Sequence, residues 1–258
     1  MSIEPGTTTD QYPLGLAMSS LLRADTLVLL RSKVPVALSI LLPIAILVVT
    51  NVGKTQSRLG GSGLIIGLAL TLGLLTSCLL GYSLALARDR EMGVLQRLRV
   101  TPAPTWMIMT SRIAVQVVTN LVASVVVVIV GASLHGITLD AVQYLLVLAV
   151  AAFGAAMVLA IGQALVGLVR SAAVVNAIGR LLFIVLVLLG ILGGTGILGD
   201  TVKTIAAWSP VGALMTLFSD VLNRAAWSSQ DGNALLACTG YTLVFAVVGI
   251  RWFRWDPQ

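Results

Sequence analysis

The chain is read as an all-α integral membrane protein with six transmembrane helices, on three observations. Only 10% of its 258 residues are charged against 58% hydrophobic, where soluble globular domains carry roughly 25% charged residues. The hydrophobic residues gather in six runs, each long enough for a bilayer core of ~30 Å at 1.5 Å per residue. The charges fall at the ends of those runs rather than inside them. The net charge of +6 and pI near 9.9 therefore serve to orient a membrane protein, and nucleic acid is not an expected partner.

The elements follow in order. Residues 1–13 are polar and Thr-rich, with no basic stretch leading into an apolar core, and are read as a tail rather than a signal peptide. Residues 14–33 mix Leu21, Leu22, Val28 and Leu29 with Arg23, Asp25, Arg31 and Lys33, too charged to span and too apolar to be loose, which predicts an interfacial amphipathic helix. The membrane domain occupies 34–258. Its first span is 34–52, with Pro43 expected to kink it or end one half. The next four are 62–87, 113–134, 141–169 and 181–198, and the last is 234–250. Between the fifth and sixth lies a long, half-apolar segment, 199–233. Within it 208–218 is too short to cross, so a re-entrant or surface-lying helix is expected, with a plain extracellular loop as the alternative. The pairs Gly63/Gly67 and Gly190/Gly194 have the spacing that lets helices approach closely, a packing signal that also arises by chance.

Six spans place both termini on one side. That side collects Arg23, Arg31, Lys33, Arg88, Arg90, Arg112, Arg170 and Arg180, while the other holds only Lys54, Arg58, Lys203 and Arg224. The positive-inside rule makes the first side cytoplasmic.

Several tempting chemical signals fail on their context. Gly53-Lys54-Thr55 looks like part of a phosphate loop, but Val48 stands where the required Gly should be and no strand precedes it. His135, near Asp140, has no second His or Cys ligand close by and reads as a surface histidine. Cys78 and Cys238 fall inside apolar runs and build no framework. No catalytic, cofactor-binding or metal-binding residue is assigned. The predicted span interiors contain no ionisable residue, so nothing in them carries a proton or coordinates a driving ion. If the protein pumps, its energy comes from a partner. The interiors do contain neutral polar groups: Thr76 and Ser77 in span two, and Gln116, Thr119, Asn120 and Ser124 near one face of span three. Interhelical hydrogen bonding and the lining of a mostly apolar path both fit them.

The most charged stretch is Arg88-Asp-Arg-Glu-Met-Gly-Val-Leu-Gln-Arg-Leu-Arg-Val-Thr-Pro-Ala-Pro104. Met92, Leu95 and Leu98 recur at helical spacing, and Pro102 and Pro104 form a stop, which predicts a short amphipathic helix over about 88–102 lying along the membrane surface. The pattern Glu91-x-Gly93-x-Leu95-x-x-Leu98-x-x-Thr101-Pro102 resembles the loop between the second and third spans of type-2 ABC transporter permeases, the exporter class that includes daunorubicin-type drug efflux. The interfacial helix, Arg31-x-Lys33-x-Pro35 before span one, and the external segment with Pro210 agree with it less specifically.

The resemblance implies a type V ABC exporter-like fold, and that this loop is a coupling helix docking on a separate ABC ATPase subunit. Arg90, Glu91, Gly93, Leu95, Leu98, Thr101 and Pro102 would be the coupling residues, with Glu91 holding the helix in register by capping or by pairing with an Arg. ATP and Mg would sit on that subunit, and no cofactor on this chain. The resemblance further implies a bacterial plasma-membrane permease working as a homo- or heterodimer, surrounded by membrane lipid, that exports an amphiphile, either drug or lipid-like. Spans two and five would border the path, which makes Thr76 and Ser77 candidate residues, and the neutral polar groups Gln116 and Asn120 of span three are candidates beside them. Export of a lipid-linked polysaccharide, a lipid-modifying enzyme built on His135 and Asp140, and an assembly subunit are the alternatives.

Overall fold

The computed structural model describes residues 14–31, 33–53, 61–99, 104–195 and 199–252, and these contain helices and turns but no strand. In chain order the helices are α1 (Leu14–Arg31), α2 (Lys33–Val52), α3 (Ser62–Leu74), a π-helical stretch (Leu75–Tyr82), α4 (Ser83–Glu91), α5 (Val94–Arg99), α6 (Thr105–His135), α7 (Ala141–Leu168), α8 (Ala172–Thr195), α9 (Asp200–Trp208), α10 (Pro210–Leu222) and α11 (Ser229–Trp252). α3, the π stretch and α4 form one continuous element, Ser62–Glu91.

Local sequence explains most of the boundaries. Pro104, in extended conformation, leads into α6, and Gly136 ends it at φ 67, a left-handed conformation that glycine adopts without penalty. Asp140 caps α7 in a capping box with Gln143. Ser209 caps α10, whose first residue Pro210 lacks the amide that would otherwise go unbonded there. Pro43 does not end α2, which is continuous through it; the ring packs where a side chain on Gly73 would stand.

Among the described residues, five helices are long and apolar enough to cross a membrane: Ser62–Glu91, Trp106–His135, Ala141–Leu168, Ala172–Gly193 and Ser229–Trp252. The helix at the expected first span, α2, is 20 residues long, with a shorter apolar part, Ala37–Val52. The bent pair α9–α10, turning by 86° at Ser209, is the other apolar candidate. The interfacial segment is helical as expected, packed on α6 and α2. The single helix expected over 208–218 is instead two helices with their corner at Ser209.

Two of the spans begin earlier than hydropathy alone indicated. α6 begins at Thr105 and α8 at Ala172, which puts Arg112 and Arg180 inside helices rather than at their starts. The expectation of span interiors free of ionisable groups holds only for the narrower boundaries. The physical reason is that Arg and Glu are good helix formers, so a charge at the end of an apolar run does not stop the helix.

Packing centres on α10, which lies against α3, α11, α7 and α8, while α11 runs along α7. Gly63, Gly67 and Gly190 face this centre. A side chain on Gly67 would meet Phe218 and the carbonyl of Met215, one on Gly63 would meet Asn223, and one on Gly190 would meet Val211. On α8 it is Gly193 that takes the second close contact, against Ala206 of α9. The end of the bundle carrying Arg88, Arg90, Arg112 and Arg170 is called the Arg-rich end below, and the other the far end.

Candidate functional site

Span two runs without interruption into the charged stretch. Arg88 through Glu91 are its last turn, so the helix predicted over 88–102 does not start there. Met92 closes on Arg88 O at 2.9 Å and Gly93 on Arg90 O at 3.1 Å. Gly93 then reverses the chain at φ 69, and only the six residues of α5 form a separate helix beyond it. The predicted apolar stripe is split: Leu95 is fully buried, whereas Met92, in the turn, is 62% exposed. Leu98 lies in α5; Thr101 and Pro102 lie outside the described residues.

Three consecutive residues of α4 reach three different neighbours, because each step around a helix turns ~100°. Arg90, only 4% exposed, points at the end of α7. Its guanidinium donates to the carbonyls of Val166 at 2.6 Å, Val169 at 2.7 Å and Arg170 at 2.7 Å. The last carbonyls of a helix have no amide partner within it, and the planar guanidinium, with its five donors, supplies them from outside. Glu91 reaches the start of α8, its Oε1 accepting from the Ala172 amide at 2.6 Å. A carboxylate at a helix N-terminus satisfies an orphan donor and faces the positive end of the helix dipole. Arg90 and Glu91 together therefore hold both sides of the three-residue α7–α8 turn, 169–171. Glu91 does cap a helix, but the helix is α8 rather than α5.

Asp89 turns the other way. It pairs with Arg112 Nη1 of α6 at 2.7 Å, and Arg112 Nε lies 3.9 Å from Asp25 Oδ1 of α1. Ser111 donates a hydrogen bond to the same Asp25 carboxylate. α4 is thus bonded to α6, α7 and α8 within one turn, and α1 is bonded to α6.

Higher in the bundle the neutral polar residues join spans two and three. Gln116 Nε2 donates to Ser77 Oγ at 2.6 Å, and Asn120 Nδ2 donates to Cys78 Sγ at 3.1 Å and to the Gln116 carbonyl at 2.8 Å. Thr76 bonds only within its own helix, to Leu72 O at 2.8 Å. Ser77 and Gln116 also edge a cavity of about 250 Å³ between α1, the π stretch, α4, α5 and α6, whose wall includes Asp25, Asp89 and Arg112. Thr76 and Asn120 do not line it. The π-helical geometry that carries Thr76 and Ser77 was not signalled by the sequence; such stretches often mark functional positions inside α-helices.

At the far end, Gln143 of the α7 cap donates to Val221 O at 3.1 Å and Leu222 O at 3.3 Å. Asp140 pairs with Arg224 at 3.3 Å. His135 is half-buried rather than superficial, its Nδ1 lying 3.1 Å from Gly131 O. No bond joins it to Asp140 among the described residues.

The burial of Arg90 was readable in outline. It continues the buried face of Leu86 and Ala87 at the i+3 and i+4 steps that share a helix face. What it grips was not, since its acceptors lie 76 to 80 positions away in the chain. Asp25 was placed at an interface, with nothing in the sequence to bring it beside Ser111 and Arg112.

The sequence matches the family model described as ABC-2 type transporter over residues 17–223. The match runs from within α1 past the end of α10. No curated protein matches the chain.

Proposed function

The chain belongs to the ABC-2 type transporter family, whose membrane subunits work with an ATPase subunit, and from that premise we propose that it is the permease of a bacterial exporter. Two permease chains in the plasma membrane, with termini in the cytoplasm, carry an amphiphile outward on ATP hydrolysed by the partner. The segment from Arg88 to Pro102 docks on that ATPase. Within it Leu95 anchors α5 to the membrane domain, and the exposed Gln96 and Arg97 face the partner.

The observation that carries this reading is the clasp of Arg90 and Glu91 on the α7–α8 turn. A docking loop joined to the bundle only by its own chain would move span two alone. A loop whose adjoining helix turn is bonded to α7 and α8 moves spans two, four and five together, which is what transmission of a nucleotide-driven push needs. The clasp consists of side chain to backbone bonds, so it constrains position without fixing the neighbouring side chains.

The test is the complex of permease and ATPase reconstituted in proteoliposomes. Glu91→Ala is expected to leave assembly and ATP hydrolysis in place while transport per ATP falls at least tenfold. Glu91→Gln, which keeps an acceptor for the Ala172 amide, is expected to fall less. Transport unchanged in Glu91→Ala would defeat the coupling role. Failure to recover any ATPase with the folded chain would defeat the export reading.

A further inference from the structure

We propose that the cavity between α1, span two and α6 is a binding site for a small cationic amphiphile, an ammonium head on a compact apolar body. Two carboxylates, Asp25 and Asp89, and a single guanidinium, Arg112, belong to the wall. Arg112 gives its Nη1 to Asp89 at 2.7 Å. Towards Asp25 it offers only Nε at 3.9 Å, beyond hydrogen-bonding reach, and that Nε has no hydrogen-bond partner among the described residues. The hydroxyl of Ser111 bonds the Asp25 carboxylate but brings no charge. Among the described residues, the two carboxylates of the wall thus share one guanidinium, which bonds Asp89 and only approaches Asp25. Burial accordingly pushes the Asp25 carboxyl above its ordinary value, an effect that the Ser111 bond and Arg112 oppose and Asp89 adds to.

An anionic guest would meet two carboxylates and a guanidinium already engaged. A neutral guest would leave the surplus charge unmatched. A cation supplies what is missing, and between these half-buried groups that attraction is stronger than at a fully exposed surface. Beyond the charged edge the wall is apolar, with Leu86 and Val115, and Gln116 offers a polar contact at depth. Tyr82 adds an aromatic ring to the wall, a neighbour that suits organic cations. At about 250 Å³ the space falls just below the range of roughly 300–1,000 Å³ typical of sites for drug-sized ligands. It takes a compact molecule, or the charged end of a larger one.

That the guest is cargo rests on the export reading above; that it binds does not. The experiment therefore separates the two. The full-length chain, without ATPase, is placed in lipid nanodiscs and titrated with benzyltriethylammonium, and in parallel with benzenesulfonate. Saturable binding of the ammonium and at least tenfold weaker binding of the sulfonate are expected. Asp25→Asn, which keeps the shape and the Ser111 hydrogen bond, is expected to weaken ammonium binding at least tenfold. Val115→Phe, which fills the cavity without touching charge, is expected to abolish it, and unfolding temperatures establish that both variants are folded. Equal binding of the two probes, or ammonium binding indifferent to both substitutions, would overturn the proposal. ATP-driven uptake of the same ammonium into inverted vesicles is measured separately. Binding without uptake leaves the site standing and sinks its role as a cargo site, whereas uptake of other compounds without ammonium binding sinks the site and spares the exporter.

Discussion

The two halves of span two are held by opposite kinds of contact. The far half, α3, meets α10 through missing side chains: Gly67 brings its backbone against Phe218 and Met215, and Gly63 against Asn223. α7 and α8 do the same, with Gly154 receiving Leu214 and Gly190 receiving Val211. Phe218, which Gly67 receives, is fully buried. The near half, α4, is held by Asp89, Arg90 and Glu91, each reaching a different neighbour through a directional bond. Shape contacts of the first kind lose a quarter to a half of their attraction for a gap of ~0.5–1 Å, so they favour one arrangement. Bonds of the second kind can part and re-form with a water or another carbonyl as partner. The π stretch lies between the halves, where a change in helical register is least costly. The molecule therefore has a fixed far end and an exchangeable near end on one helix.

The largest expected effect attacks the fixed end. In Gly67→Leu, a Cβ would already stand 3.1 Å from Phe218 Cβ and 3.4 Å from the Met215 carbonyl, and the backbone side of that contact cannot swing away. A loss on the order of 3 kcal/mol is expected, read as a drop in unfolding temperature in detergent and in yield of monodisperse protein. A folded, equally stable Gly67→Leu would show that α10 can retreat and that the far end is not fixed. Next is Arg90→Ala, which strands the carbonyls of Val166, Val169 and Arg170. Unmatched buried acceptors cost about 1–3 kcal/mol, but here the loss is expected to be local. Amide hydrogen exchange over 165–175 should accelerate while that of α10 stays protected. Uniform acceleration across the bundle would erase the distinction between the ends. Arg90→Lys should recover only part, because an ammonium is not a planar fork.

Much of this architecture was legible and the rest was not, for physical reasons. Apolar run lengths located most of the helices, whereas the caps at Gly136, Asp140 and Pro210 and the turn at Gly93, which depend on local backbone chemistry, went unassigned. The glycine pairs were readable as close-packing signals, although nothing along the chain told that Gly63 and Gly67 would receive the end of α10, that Gly190 would receive its start, or that Gly193 would be used on α8. Polar residues in spans two and three were readable as a group, but only three-dimensional register decides that Gln116 reaches Ser77 while Thr76 turns back on its own helix. Helix ends were misjudged where charge was mistaken for a boundary. The clasp was invisible because Arg90 and Glu91 serve groups some 80 residues away, and a backbone carbonyl carries no sequence signature.

A smaller effect tests the turn between the near end and α5. Gly93 sits at φ 69, where an added Cβ would meet nothing closer than Gln96 Oε1 at 4.0 Å. Gly93→Ala therefore costs conformational strain alone, roughly 1–2 kcal/mol, and Gly93→Asn less, since Asn tolerates this region. If the near end is the exchangeable one, both variants remain folded and lose transport in that order of severity, with hydrolysis maintained. Equal transport in glycine, alanine and asparagine forms would mean that the direction in which α5 leaves span two is unimportant.

The smallest effect concerns Asp25, and its sign is fixed by the direction of its shift. Burial raises this carboxyl above its ordinary value of 3.8 against the opposing pull of Ser111 and Arg112, while Asp89 reinforces the rise. As pH climbs through the ordinary carboxylate range, the unfolded chain releases this proton first, so the group subtracts stability from the folded state until the raised value is passed. Asp25→Asn has no proton to release. The difference in unfolding temperature, mutant minus wild type, should therefore rise with pH across that window and then level off, whatever the other carboxylates contribute to both proteins. A difference that falls with pH would mean that Arg112 more than compensates Asp25. The near end would then be as fully paired in charge as the far end is in shape, and the surplus charge in the cavity wall would be gone.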